Sequence, residues 1–475
     1  MPVQPRVSIK FPGTTDGPGE LPFTVGVLTD LSGPRAKQLR PLSQRVLYSV
    51  TGGLSPGMAL CSRLEVETAN YLGTGPTFWT EWQPCELADF DPANLAQTLD
   101  ALRLAKTGRP AASDEQIARQ LDAILRDPGL QRIEASWRGI DNVLKSAPPS
   151  LFRMLVLDIS KAELQADLST EGGIEESVVY QKLRREYDAW CGWPCHLLVA
   201  DYEFGHDGDD LALLELLATL GARAHAPFLA SAAPAMFGVK SFESLCGMRN
   251  LDSIFDANEY GRWRRFRATE NARYLALVLP HVLLREPYPG RLGTRLWGNA
   301  AFALAARIVE AFGRSGWCEQ FTGVAGGGLA QAVVDARLDE KQECELFHAG
   351  FATLLSSFEG NSAAFFGVPS CHCQARLSDT LAPLRFVHYL RMLANFRRQS
   401  SSARECEREL NDWIAGYVNS DEDAPDDAWR PLAAAVVSLS PSPQHPGTSV
   451  LSVRLKPSFQ ASGCAPELHV TAVLP

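Results

Sequence analysis

Short apolar runs separated by helix-forming stretches govern what this 475-residue chain can fold into. An apolar run at 151–158 (LFRMLVLD) is followed by a helical stretch around 175–190. Then come a run at 195–200 (CHLLVA), a helix at 209–222, a run at 227–232, helical segments at 240–247 and 258–267, and a run at 274–279. Strands spaced by helices need crossover connections, so they line up parallel, with helices on both faces. The fold class expected is α/β, built on a mostly parallel sheet.

The flanks carry other patterns. Residues 1–20 are rich in Pro and Gly, with one alternating piece at Val7, Ser8, Ile9 and Lys10 that reads as a strand pairing only with a partner. A strongly apolar strand at 23–29 (FTVGVLT) ends at Asp30, Ser32, Gly33 and Pro34. Alternating strands follow near 62–68 and 77–83. Asp91–Pro92 then opens a helix over 93–105, with Leu95, Leu99 and Leu102 on one stripe. The Gly, Pro and Ser of 107–113 (TGRPAAS) mark a linker and a domain boundary. Ser113 followed by Gln116 has the form of a capping box. The helix it starts reaches about Leu125, and a second helix carries Leu130, Ile133, Trp137 and Ile140. Further helices are expected at 297–313, opened by Trp297-Gly298-Asn299, and at 339–349, 377–398 and 403–419. An acidic loop (420–427) precedes an all-β tail at 433–440, 449–456 and 467–474, with a turn at 443–447.

Charge and composition exclude several roles. With 45 basic and 55 acidic residues the net charge is −10. An acidic chain gains nothing from counterion release on a phosphate backbone and is not drawn to an anionic membrane. Neither nucleic acid nor membrane is an expected partner. The N-terminus lacks the apolar core of a secretory signal. No run approaches the roughly 20 apolar residues that span a bilayer, and the richest, 275–284, contains Pro280 and His281. The 11 scattered cysteines are no disulfide framework. A cytoplasmic protein is expected.

Four clusters offer chemistry. Gly323-Val324-Ala325-Gly326-Gly327-Gly328 resembles a phosphate loop but lacks the Gly-Lys-Ser/Thr ending, and a tight turn is the plainer reading. In Cys371-His372-Cys373, alternate residues on a strand share a face, so Cys371 and Cys373 can share a metal while His372 cannot join them. Cys344 and His348, four apart on a helix, would complete a set of four ligands; buried thiols are the alternative. Asp201 and Glu203 stand at the end of an apolar strand, just before His206. Active sites of open α/β sheets lie at such strand ends, and a carboxylate pair beside an imidazole can do acid–base work in a hydrolase. The alternative is that these carboxylates cap or pair with a neighbouring element. Finally, Arg262, Arg264, Arg265 and Arg267 interleave with Trp263 and Phe266, a candidate basic stripe for an acidic patch on another protein.

The chain also resembles a known family. From about 113 to the end it is similar to the large subunit of the type VI secretion contractile sheath (VipB or TssC type). The resemblance is carried by 121–139 (LDAILRDPGLQRIEASWRG), 201–205 (DYEFG), 224–228 (AHAPF), 296–301 (LWGNAA), 316–318 (GWC), 323–329 (GVAGGGL), 363–367 (AAFFG), 386–390 (FVHYL) and 455–460 (LKPSFQ), in that order. From 1 to about 106 it resembles the small subunit (VipA or TssB type), through 20–33 (ELPFTVGVLTDLSG), 40–45 (RPLSQR) and 87–102 (LADFDPANLAQTLDAL). Both halves are shortened. The resemblance implies mixed sheets flanked by helices, with a small-subunit-like domain at 1–106, a linker at 107–113, a large-subunit-like α/β domain at 114–432 and C-terminal strands at 433–475. It implies a structural role without catalysis, metal or cofactor: self-assembly into rings and tubes around an inner tube protein, in contact with baseplate components, with contraction driving ejection. Separate sheath subunits are further candidate partners. The large half lacks the N-terminal segment that engages a recycling ATPase in some systems, which makes that partner the weakest expectation. The truncations also suit a cap, initiator or regulator of a sheath. In this family terminal strands add to a neighbour's sheet. That places Val7, Ile9, Val436, Val437, Val450, Val453, Leu455, Leu468 and Val470 at a subunit interface.

Overall fold

Residues 23–29 are apolar because the strand they form is covered on both faces. The computed structural model describes residues 7–11, 20–33, 40–59, 63–73, 75–107, 112–148, 150–188, 193–318, 320–324, 329–330, 332–356, 362–397, 402–419, 430–442, 448–457 and 467–474. Its strands are β1 (Phe23–Thr29), β2 (Tyr48–Ser49), β3 (Leu64–Ala69), β4 (Thr77–Trp82), β5 (Phe152–Asp158), β6 (Leu197–Phe204), β7 (Phe228–Ala232), β8 (Leu275–Leu279), β9 (Val282–Arg285), β10 (Leu296–Gly298), β11 (Leu329–Ala330), β12 (Phe351–Ser356), β13 (Ser362–Phe365), β14 (Leu432–Pro441), β15 (Ser449–Pro457) and β16 (Leu468–Leu474). Its helices are α1 (Ser55–Met58), α2 (Pro92–Thr98), α3 (Asp100–Thr107), α4 (Asp114–Leu125), α5 (Pro128–Lys145), α6 (Lys161–Leu168), α7 (Val178–Asp188), α8 (Gly208–Ala224), α9 (Gly261–Arg267), α10 (Ala300–Ser315), α11 (Glu340–Ala349), α12 (Leu377–Arg397) and α13 (Ala403–Ala415).

A nine-stranded sheet runs in the order β11-β13-β12-β8-β7-β6-β1-β5-β2. From β12 to β5 every neighbouring pair is parallel; β13, β11 and β2 close the two ends antiparallel. β1 lies inside the sheet, third from one end, with Val27 opposite Val156 of β5 on one side and Val199 of β6 on the other. β1, from the first hundred residues, is therefore an interior member of the sheet that the later residues build. The chain crosses from one half to the other near 107–113, of which 108–111 lie outside the described residues.

Alternate residues of β1 feed two cores. Phe23, Val25 and Val27 face α5 and α10, while Leu28 joins Leu155, Leu157 and the side covered by α6, α7 and α8. On the first side α10 is Ala-rich and almost wholly buried, and α5 crosses it closely. A Cβ on Gly139 of α5 would stand 2.4 Å from the Phe302 ring. A third core gathers α12, α13 and the inner face of a separate antiparallel sheet, β14-β15-β16.

Local signals explain most boundaries. Ser113 and Gln116 form the capping box that opens α4. Asp127, with Pro128 in the first turn, caps α5. The expected helix over 93–105 is two helices, because Leu99 adopts an extended conformation (ψ 110°) between them. Trp297 and Gly298 belong to β10, and Asn299 alone caps α10, accepting from the Ala301 amide. The stretch 242–247 is a 3-10 turn, and α6, which the helical pattern does not include, is opened by a full capping box between Ser160 and Glu163. The turn at 443–447 and the acidic loop 420–427 lie outside the described residues.

Because Phe302 is 2% exposed and its ring closes over Gly139, overpacking there is costly. Gly139→Ala is expected to lower stability by about 1–3 kcal/mol, seen as a lower denaturant midpoint at unchanged m-value.

Candidate functional site

The strand end carrying Asp201 and Glu203 is where catalysis was most plausible. Asp201 Oδ2 accepts from Thr29 Oγ1 (2.9 Å) and Ser136 Oγ (2.5 Å), and Oδ1 accepts from Asn299 Nδ2 (3.2 Å). Those donors come from β1, α5 and the cap of α10, so the carboxylate ties the sheet to both helices above it. Enclosure pushes its pKa up, and the three donors oppose that rise. His206 is engaged elsewhere: its Nδ1 meets the Ala235 carbonyl at 2.5 Å, and its ring lies 5.3 Å from that of Tyr260. Glu203 turns to a third partner, His281. Each of the three candidate acid–base residues is thus held by a different neighbour.

His281 carries a contact that spacing alone did not reveal. Its Nε2 is 2.8 Å from Glu203 Oε1 and its Nδ1 is 2.7 Å from Asp335 Oδ2. Burial alone pulls the imidazole down, but the two carboxylates outweigh it and raise its pKa to about 9. The folded pKa lies above the ordinary value of 6.5. Its stabilising contribution is therefore complete below pH 6.5 and is lost as pH rises through about 9. A thermal midpoint measured from pH 6 to 10 is expected to fall across this window. In His281→Gln the fall attributable to this group is absent.

A parallel knot ties β1 to β5. Asp158 accepts from the Leu31 amide (2.8 Å) and from Ser32 Oγ. Arg45, from the same early segment, binds Glu163 through both Nη atoms and donates to the Asp158 carbonyl. The Arg45 hydrogen bond is the main reason that the Glu163 carboxyl drops to about 2.

Cys371 is buried, with its thiol pushed up to about 12 by desolvation, while Cys373 is exposed. Cys344 lies 3.7 Å from His348 on α11. Among the described residues no group of three or more His, Cys, Asp or Glu is placed to hold a metal ion. Gly323 adopts a positive φ of 72°, a conformation glycine favours in turns, and its amide donates to the Phe365 carbonyl at the end of β13; 325–328 lie outside the described residues.

Three arginines of the basic stripe have partners within the chain. Arg262 makes a two-pronged contact with Glu215 at 2.8–2.9 Å, Arg264 caps the Phe255 and Ala257 carbonyls, and Arg267 binds the Cys371 and His348 carbonyls. The short helix α9 stands among loop ends whose carbonyls need donors, and these guanidiniums supply them. Arg265 is exposed.

The residues expected at a subunit contact separate into two groups. Val7 and Ile9 are 3% and 0% exposed, and the Val7 amide donates to the Ser315 carbonyl at 2.8 Å. Val7 and Ile9 are stowed in the third core, and the segment 7–11 forms no strand within its own chain. Val437, Val453, Leu455, Leu468 and Val470 also face that core, whereas Val436 is 46% exposed and Val450 half-buried on the outer face. Strand alternation explains the division: one face of β14-β15-β16 is closed by α12 and α13, and the other is open. Of the inward residues, Val437 on β14 and Leu468 and Val470 on β16 lie on edge strands, whereas Val453 and Leu455 on β15 are paired on both sides.

The chain was compared with known proteins. The VipB (EvpB) tail sheath N-terminal domain matches residues 110–372, and the VipB tail sheath gpW/gp25-like domain matches 370–474. The type VI secretion system VipA family matches residues 2–132. The type VI secretion system sheath protein TssC1 of Pseudomonas aeruginosa is 30% identical over 422 residues, covering 77% of this chain and 85% of that protein. Among solved structures, the helical sheath of the anti-feeding prophage in its contracted state aligns over 98% of both chains, at 10% identity and a TM-score of 0.44. A sheath tail protein from Desulfitobacterium hafniense aligns over 98% of this chain and 99% of its own, at 9% identity and a TM-score of 0.37. By its sequence matches the chain belongs to the type VI secretion sheath family, with a VipA-type and a VipB-type portion joined in one polypeptide.

Proposed function

We propose that this chain is a one-piece sheath protomer that polymerises with copies of itself around an inner tube in the cytoplasm and drives tube ejection by contracting. The observation that carries this reading is the position of β1. A VipA-type strand between two VipB-type strands makes the two portions one folding unit, as a sheath protomer needs to be. Linkage between protomers runs through added β-strands: the three-stranded sheet β14-β15-β16 has two edge strands, and an edge is a template for another chain's strand. Contraction is then a change in how protomers pack while these strands hold. No catalytic step is assigned. Asp201, Glu203 and His206 serve as structural partners, and the inner tube and baseplate components are the partners expected.

Negative-stain microscopy of the purified chain at high concentration, with and without tube and baseplate proteins, is expected to show rings or tubes. A field of monomers under every condition would sink the proposal. Deleting residues 1–12 removes Val7 and Ile9 from the third core. It is expected both to lower the thermal midpoint and to abolish linkage between rings. Polymers unchanged by the deletion would contradict the strand-addition part.

A further inference from the structure

Helix α13 touches two pieces of backbone that strand addition requires, and it holds each with side chains. Its start is fixed by a capping box between Ser402 and Glu405. Toward the C-terminal sheet, Asn411 Nδ2 donates to the Val437 carbonyl (2.7 Å), and the Val437 amide donates back to Asn411 Oδ1 (3.0 Å). Two residues on, the Leu439 amide donates to Glu407 Oε2 at 2.7 Å. Asn411 is itself oriented by donating to the Glu407 carbonyl at 2.8 Å. β14 pairs with β15 along its other side. These bonds therefore fall on its outer edge, at the alternate residues whose amides and carbonyls point outward. One Nδ2 hydrogen of Asn411 serves the Glu407 carbonyl, and the other, with Oδ1, presents to Val437 the donor and acceptor that a peptide group would, so Asn411 occupies the place of a strand residue.

Toward the N-terminal arm, Trp413 Nε1 donates to the Lys10 carbonyl (3.0 Å), and the Lys10 amide donates to Tyr417 Oη (3.1 Å) just past the helix. Phe11 packs 4.9 Å from the Tyr389 ring, which in turn stacks on Trp413. Both backbone groups of Lys10 that a β-ladder would use are thus taken by side chains of the same helical segment.

We propose that α13 is a latch on assembly. In the free protomer it covers the outer edge of β14 and stows the arm 7–11. Both contacts are released before the arm of a second copy pairs with that edge. The inference rests on the strand-addition reading above and adds to it the device that holds it back. An incoming strand replaces the Asn411 and Glu407 bonds with backbone bonds of the same kind. The exchange is then nearly balanced in hydrogen bonds, as a reversible latch requires. The occupant is specified by the arm's own pattern: Val7 and Ile9 alternate with Ser8 and Lys10, the period of a strand that buries one face.

The test uses the full chain carrying Asn411→Ala and Glu407→Ala together. Sedimentation is expected to give a critical concentration for polymerisation about tenfold below that of the unmodified chain, equivalent to about 1.4 kcal/mol, with no rise in thermal midpoint. An unchanged or higher critical concentration overturns the latch. A labelled peptide of residues 5–12 is expected to bind the double variant about tenfold more tightly than the unmodified chain, and equal binding overturns the latch even if neither protein polymerises. Should the double variant fail to fold, Asn411→Asp keeps the acceptor for the Val437 amide and loses the donor to its carbonyl. It is expected to shift both readouts in the same direction by a smaller factor, and no shift overturns the latch. A chain that polymerises equally with and without the clamp defeats only the latch. A chain that neither polymerises nor binds the peptide in any form defeats the strand-addition reading as well.

Discussion

The burial of β1 between β5 and β6 is the constraint on which the rest of the molecule depends. A strand with neighbours on both sides and helices on both faces has every backbone group and every side chain committed. All seven of its residues are buried. The early segment therefore cannot leave as a unit without opening the interior of the sheet. The polar contacts at the strand's far end follow from the same placement. Thr29 reaches Asp201, Leu31 and Ser32 reach Asp158, and Arg45 reaches Glu163. Each links a residue of the VipA-type portion to one of the VipB-type portion.

The same placement accounts for the partners of the carboxylates at the strand ends. The C-terminal ends of parallel strands are where open α/β sheets usually bind ligands. Here the same positions are filled by a β1 threonine, a helix serine, a helix-cap asparagine and the His281 imidazolium. The geometry that makes an active site in other sheets makes a structural joint in this one.

The third core gives the molecule its second character. There the N-terminal arm, α12, α13 and the three-stranded sheet pack together, and several side chains meet backbone across long sequence separations. The Leu21 amide donates to Tyr389 Oη at 2.6 Å, and Glu20 pairs with the buried Arg385 at 3.2 Å. A region held by individual side-chain bonds to extended backbone can exchange them one at a time, which suits an element that changes partners.

Much of this was legible in the sequence. Uniformly apolar runs at 23–29, 151–158 and 195–200 specified buried strands. Ser113–Gln116 and Asp91–Pro92 specified helix starts, and 433–475 read as strands, because each pattern follows from local geometry. The ordered motifs also identified the family. The sequence did not determine which strands are neighbours, since β1 and β5 are separated by more than a hundred residues and pairing is settled by how two-sided burial is shared. Nor did it assign partners to polar side chains. His281, Asp335 and Asn411 lie in no motif, and the basic run at 262–267 did not show that Arg262 pairs with Glu215 while Arg264 and Arg267 donate to nearby carbonyls. Those choices belong to the tertiary structure, because a hydrogen bond depends on which groups packing brings within about 3 Å, and packing is set by the whole chain.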